Sequence, residues 1–361
     1  MLIFGLSVKD GVILKLSLKK TLVFLTFGFN IFVVAILASL RDFSVGSDTS
    51  RYVGYFLSAT ESDHTRHEPG FNAFVNAVAS FSEEPRVFLF FVVIIVTTLL
   101  AAAFYKYFRF LFNTTPGPGD ILIFLSLTLF SSWYFVAFAN GIRQGISISA
   151  LYLALYFLSV ERKLFVSLTF FIFSASFHLS SFLLLPFVLF VFFPFRFVFF
   201  FWLVFGFFYP LGINEFLVKF VSEFFGLGLY ESIRFYSITV SEAGAGRYEG
   251  FSISFFGYTI LWPLVFFFLA SSTRLLSELE KSRWFVIVKV YMILCFPYFV
   301  FGFGPFSNRY AFIAWLFVPV FQSCVAASLL NLNRMLSVLS SMILFFMSFL
   351  FYLFLRLEFL V

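Results

Sequence analysis

Apolar residues come in long runs along this chain, and polar residues are confined to short segments between them. The runs approach the roughly 20 residues a helix needs to cross about 30 Å of hydrocarbon. A span in lipid must also satisfy its backbone internally, as helix. The pattern therefore predicts an all-α, polytopic membrane protein of about eleven transmembrane helices, roughly ten to twelve. They fall near residues 21–40, 87–105, 121–139, 146–160, 164–180, 181–195, 197–213, 251–270, 284–303, 310–330 and 335–355. The 181–195 segment is short and carries Pro186 and Pro194, which predicts a kink, a tilt or fusion with a neighbour. Residues 69–82, "PGFNAFVNAVASFS", are apolar at helical spacing but too short to cross, which fits an interfacial or re-entrant helix.

Composition agrees and excludes a soluble protein. Of 361 residues, 61% are hydrophobic and 12% charged, where a soluble domain has about a quarter charged. No stretch is long and polar enough for a separate soluble domain, so 1–361 is expected to be one transmembrane domain with outer loops at 41–86 and 214–250. The first run follows Lys15, Lys19 and Lys20 but lacks a good cleavage site before Arg41, so it is read as a retained anchor. Cys295 and Cys324 lie inside apolar runs and imply no disulfide framework. The 66 phenylalanines are expected to serve as lipid-facing and packing surface.

The net charge of +6 does not point to nucleic acid, because in such a chain the loops that hold the cations are what matter. With the N-terminus in the cytoplasm, Lys9, Lys15, Lys19, Lys20, Lys106, Arg109, Arg162, Lys163, Arg196, Arg274, Lys281, Arg283 and Arg334 fall inside. The outer arginines cluster at 41–68, 140–143 and 214–250, with Arg309 near the same face. Within "FANGIRQGISIS", Arg143 opens a span beside Asn140 and Gln144, with no acid nearby in sequence. It either snorkels to headgroups, or joins two amides in one turn to hold a phosphate or a sugar.

"NGIRQGISISALYLALYFL", followed by Glu161-Arg162-Lys163 and "FSASFHLSSFLLLP", resembles the EpsG branch of the Wzy-type polysaccharide polymerases, the enzymes of O-antigen and capsule assembly. "RDFSVGSDTSRYVGYF" has that family's order of Arg41, Gly46, Asp48 and Tyr52, and "EPGFNAFVNAVASF" and "FSNRYAFIAW" are similar to its later segments. The resemblance implies a glycosyltransferase of the bacterial inner membrane that polymerises undecaprenyl-pyrophosphate-linked repeat units on the outer side. Donor and acceptor are both lipid-linked glycans, membrane lipid surrounds the site, and a flippase and a chain-length regulator are its protein partners. Neither a nucleotide sugar nor any other cofactor is implied.

Such chemistry needs cations for the pyrophosphate and a group to accept the proton of the attacking hydroxyl. Arg143 with Gln144, Arg51 with Tyr52, Arg247 and Arg309 are the binding candidates. Arg247 sits in "SEAGAGRYEG", which reads equally as a solvated turn beside Glu249, and Arg309 reads equally as a snorkelling residue. For the proton acceptor, His178 lies among Ser174, Ser176, Ser180 and Ser181, where a hydrogen-bonded structural histidine is the competing reading. Asp48 is its carboxylate rival, with Tyr52 one helical turn on, and a salt bridge to Arg41 or Arg51 is the alternative. "HTRHE" at 64–68 lacks the order of a zinc hydrolase, and "TTPGPGD" at 114–120 lacks the ending of a phosphate loop, so no metal site is expected.

Two other functions use similar parts. An O-antigen ligase would use the same donor and the same cations and differ only in acceptor. A lipid-linked glycan flippase is expected to show two similar halves and charges within mid-span, whereas most charges here are expected at one outer rim, which favours catalysis on one face.

Overall fold

The computed structural model describes residues 28–46, 48–61, 67–226, 228–231, 250–271, 277–304 and 306–332, with the single positions 21, 25, 233 and 346. Arg247, His64, the N-terminal lysines and, apart from position 346, the span expected over 335–355 lie outside the described residues. The chain divides into two compact units, 1–146 with 319–361, and 147–318. Among the described residues every regular element is a helix, and the protein is a polytopic membrane protein.

The first unit contains α1 (Gly28–Ser39), α2 (Thr49–Glu61), α3 (Pro69–Ala79), α4 (Pro85–Phe112), α5 (Pro118–Leu129), α6 (Ser132–Ala139) and the first turn of α7 (Ile142–Ser159). Proline starts α3, α4 and α5. Its missing N–H is no loss in a first turn, and its fixed φ suits a helix. The long helix α4 packs against α2, α3 and α6, and its buried Thr97 shares a 2.6 Å hydrogen bond with Tyr134 of α6. The short apolar segment after residue 68 is the helix α3, in keeping with its spacing.

The second unit continues with α8 (Leu164–Phe177), α9 (Leu179–Phe192, mixed 3-10 and α turns), α10 (Phe195–Phe208), α11 (Ile213–Phe225), α12 (Ile253–Ser271), α13 (Glu278–Phe301) and α14 (Ser307–Trp315). Helix α15 (Val318–Leu332) follows and returns the chain to the first unit. A Ser277–Glu280 capping box opens α13, and its apolar body touches α9, α10, α11, α12 and α14. From Val290 to Phe299 every residue of α13 is buried, as expected of a helix that is hydrophobic all round.

Among the described residues four helical runs are long and apolar enough to cross a membrane: α4, α7, α13 and Ser307–Leu329. Two bent pairs bring the number to six if each is one span. Shorter apolar helices are α1, α8, α9 and Ile253–Phe268. Where a single span is expected over 121–139, the structure has α5 and α6, bent by 70°. The break falls at Ser131, whose extended backbone leaves its carbonyl to accept from Tyr134 and Phe135 and so restart the helix. The 214–250 segment is likewise not all loop. Its first part is α11, bent by 101° from α10, with Asn214 at the corner donating to the carbonyls of Phe205 and Phe299 at 2.8 Å each. Phe216, Phe220 and Phe224 stand exposed on α11 while Val218 and Ser222 are buried, the pattern of a helix lying in a membrane interface.

Candidate functional site

The segment "FANGIRQGIS" is a tight connection between two helices. Gly141 N donates to Val136 O at 2.7 Å and Gly145 N to Gly141 O at 2.6 Å, closing α6 and opening α7. The two backbones then run close together. A Cβ on Gly145 would lie 2.7 Å from both Cα and the carbonyl carbon of Ala137, and closer still to its oxygen.

The end of α6 leaves carbonyls without an intrahelical partner, and in an apolar setting each needs a donor. The loop after α1 supplies them. Arg41 Nη2 donates to Phe138 O at 2.9 Å and Nη1 to Ala38 O at 2.7 Å. The Thr49 hydroxyl lies 2.9 Å from Ala139 O. The guanidinium carbon of Arg41 also stands 5.2 Å from the Phe138 ring centre. Burial holds the Arg41 pKa down to about 10, still cationic at neutral pH. Gly46, at φ +95°, brings the loop against the same turn, and a Cβ there would meet Asn140 Oδ1 at 2.7 Å. Two segments about a hundred residues apart are thereby locked together.

Arg143, on the first turn of α7, is at the centre of what they enclose. Its Nη1 donates to Glu68 Oε2 in a partly buried ion pair, and Nε lies 3.4 Å from the Tyr52 hydroxyl. The side chains of Arg143 and Glu68 are 22% and 9% exposed. Phe71 stands 6.0 Å below the guanidinium. His67 packs edge-on against Tyr55 at 4.4 Å, and Asn72 ties the group by accepting from Tyr55 Oη at 2.6 Å and donating to His67 O at 2.7 Å. Gln144 beside it is buried. The result is a partly desolvated guanidinium fixed on two sides beside an aromatic wall, suited to bind an oxyanion.

No acid lies near Arg143 in sequence; the fold brings one, Glu68, from 75 residues away. Tyr52 does lie one helical turn after Asp48, with Tyr52 N donating to Asp48 O at 3.1 Å. The Asp48 carboxylate is 3.5 Å from Arg51, whose side chain is 76% exposed, so the salt bridge given as its alternative is present. Glu68 of "HTRHE" is engaged with Arg143 and His67 packs edge-on in the aromatic group. Among the described residues no three potential ligands gather as a metal site would need.

His178 and Arg309 belong to the second unit. His178 breaks the helix between α8 and α9 with extended backbone. Its N–H donates to Ser174 O at 3.1 Å and its carbonyl accepts from Ser181 N at 3.2 Å. Around this turn the buried hydroxyls of Ser147, Ser174 and Ser181 form a closed trio. Ser174 Oγ is 2.7 Å from Ser181 Oγ and 3.0 Å from Ser147 Oγ, and Ser147 also pairs with Ser181. Ser174 Oγ donates to the Ser147 carbonyl at 2.8 Å. Ser174→Ala is therefore expected to lower stability by about 1 kcal/mol, read as a fall in melting temperature in detergent. Arg309 is exposed near the start of α14, 4.4 Å from the Phe306 ring centre.

The fold and this cluster define a multi-pass, all-helical membrane protein that keeps a paired guanidinium in a largely dry aromatic enclosure at the start of a span. The sequence model of the EpsG family matches residues 24–360. The chain belongs to the EpsG family. Membership points to a polysaccharide-polymerase-like function in polysaccharide biosynthesis. No curated protein and no solved structure matches the sequence.

Proposed function

We propose that the protein polymerises undecaprenyl-pyrophosphate-linked oligosaccharide repeat units into O-antigen, capsule or exopolysaccharide on the outer side of the bacterial inner membrane, with its N-terminus in the cytoplasm. The observation that carries the reading is the Arg143 guanidinium, held by Glu68 and Tyr52 at the start of α7 in a chain of this family. A hydroxyl oxygen of the acceptor glycan attacks the anomeric carbon of the donor. The bond from that carbon to the pyrophosphate oxygen breaks, and its electron pair leaves with undecaprenyl pyrophosphate. Arg143, with Gln144 and Tyr52, stabilises the charge that develops on the leaving group. Arg51, Arg247 and Arg309 are the further cations for the two lipid-linked substrates. The hydroxyl proton goes to a side-chain base, for which His178 and Asp48 are the candidates.

Energy comes from the sugar–pyrophosphate bond, so no nucleotide sugar enters. Flippase and chain-length regulator proteins are the expected partners. The test is the purified protein in liposomes with lipid-linked repeat units alone. A ladder of lengthening glycans is expected, with undecaprenyl pyrophosphate released. No ladder there, but transfer to a lipid A core acceptor added in a parallel reaction, would make it a ligase instead.

A further inference from the structure

Glu68 is the N-cap residue of α3, where an acidic side chain ordinarily turns back to the free N–H groups of the first turn. Its side chain makes no such cap. The backbone is nevertheless pinned: Pro69 follows, φ and ψ are −62° and 148°, and Glu68 O accepts from Asn72 N at 3.0 Å. The carboxylate is committed instead to Arg143 Nη1, in a place where it is only 9% exposed. A buried carboxylate is tolerated when it is paired and hydrogen-bonded.

Of the Arg143 nitrogens, Nη1 is held by Glu68 and Nε by Tyr52, while Nη2 has no partner among the described residues. Two fixed edges set the rotation of a planar fork and leave the third corner for an outside oxyanion. We propose that Glu68 is a positioning residue for Arg143, which it orients to receive the pyrophosphate of a lipid-linked substrate; this rests on the polymerase reading above. Glu68 is not the proton acceptor. Direct displacement brings the acceptor hydroxyl to the face of the anomeric carbon opposite the leaving group, so the base must stand away from the clamp. A carboxylate hydrogen-bonded to the clamp itself lies on the leaving-group side.

The sign of a binding change separates this role from its rivals. A carboxylate that is merely nearby repels an arriving anion, so its removal would tighten binding. A positioning carboxylate does the opposite. The experiment measures the Kd of undecaprenyl pyrophosphate for the full chain in nanodiscs, and polymerisation kinetics where a ladder forms, for wild type, Glu68→Gln and Glu68→Ala. Melting temperature is followed alongside. Glu68→Gln keeps an acceptor oxygen and should weaken binding about tenfold, and Glu68→Ala about a hundredfold, with any fall in kcat in Glu68→Gln staying within about tenfold and both limbs of the pH profile of kcat kept.

Unchanged or tighter binding in both variants would overturn the proposal. So would a kcat loss of about a hundredfold or more in Glu68→Gln with one limb of the pH profile removed, since that marks a general base. If Glu68→Ala does not insert, the Glu68→Gln result decides. Wild-type protein that binds undecaprenyl pyrophosphate with this order of affinities but builds no ladder would sink the polymerase reading and leave the role of Glu68 standing. Wild-type protein that does not bind it would overturn both.

Discussion

Arg143→Lys is expected to insert and fold, yet to make almost no polymer. An ammonium restores the charge opposite Glu68, so the variant avoids the roughly 3–5 kcal/mol that follows when one member of a buried pair is removed. It cannot reproduce the planar fork. Arg143 reaches Tyr52 through Nε and Glu68 through Nη1 simultaneously, and a single ammonium on a flexible stem does not span both while presenting a further donor in fixed geometry. Loss of a transition-state hydrogen bond of this kind costs a factor of about 10² to 10³ in rate. Arg143→Ala is expected to be inactive for two reasons at once, because it also strands a buried carboxylate, and its melting temperature should fall. The measurement is glycan length on cells carrying each variant at matched protein level. Wild-type length in Arg143→Lys would mean that the arginine only snorkels to headgroups.

The largest structural effect is expected at Gly145. An added methyl group would lie 2.7 Å from Cα and the carbonyl carbon of Ala137, and these are backbone atoms that cannot swing aside. Helices α6 and α7 would have to separate, carrying Arg143 away from Glu68 and freeing the carbonyls that Arg41 and Thr49 now satisfy. Overpacking of a well-packed core costs about 1–3 kcal/mol, and a backbone collision exceeds it, so Gly145→Ala is expected to accumulate poorly and to melt far below wild type. Gly54→Ala is the control. That glycine lies exposed within α2 with nothing inside 4 Å of its Cβ position, so alanine should stabilise by about 0.5–1 kcal/mol. Equal melting temperatures for the two variants would contradict the close approach of α6 and α7.

The sites of the motifs were legible in the sequence, and their partnerships were not. The order of Arg41, Gly46, Asp48 and Tyr52 marks the loop, but only the fold separates their tasks. Arg41 and Gly46 hold the α6–α7 turn, Tyr52 meets Arg143, and Asp48 pairs with its neighbour Arg51. Glu68 gave a single signal, its place before Pro69 at a helix start, which suggests a cap and not an ion pair with a residue 75 positions on. Gly145 gave none, because a glycine in a helix looks the same whether its face is empty or pressed against another backbone.

The structural class was determined by the sequence alone. An excess of apolar residues in span-length runs admits only helices in a bilayer, and proline and serine at the right points start α3, α4, α5 and α13. Tertiary structure decided where a run breaks, as at Ser131 and before α11, and which buried charge answers which. The reason is physical: hydrophobic burial is non-directional and additive, so it can be read from composition and period. Hydrogen bonds and ion pairs depend on tenths of an ångström between groups far apart in the chain, and those distances exist only once the helices have packed.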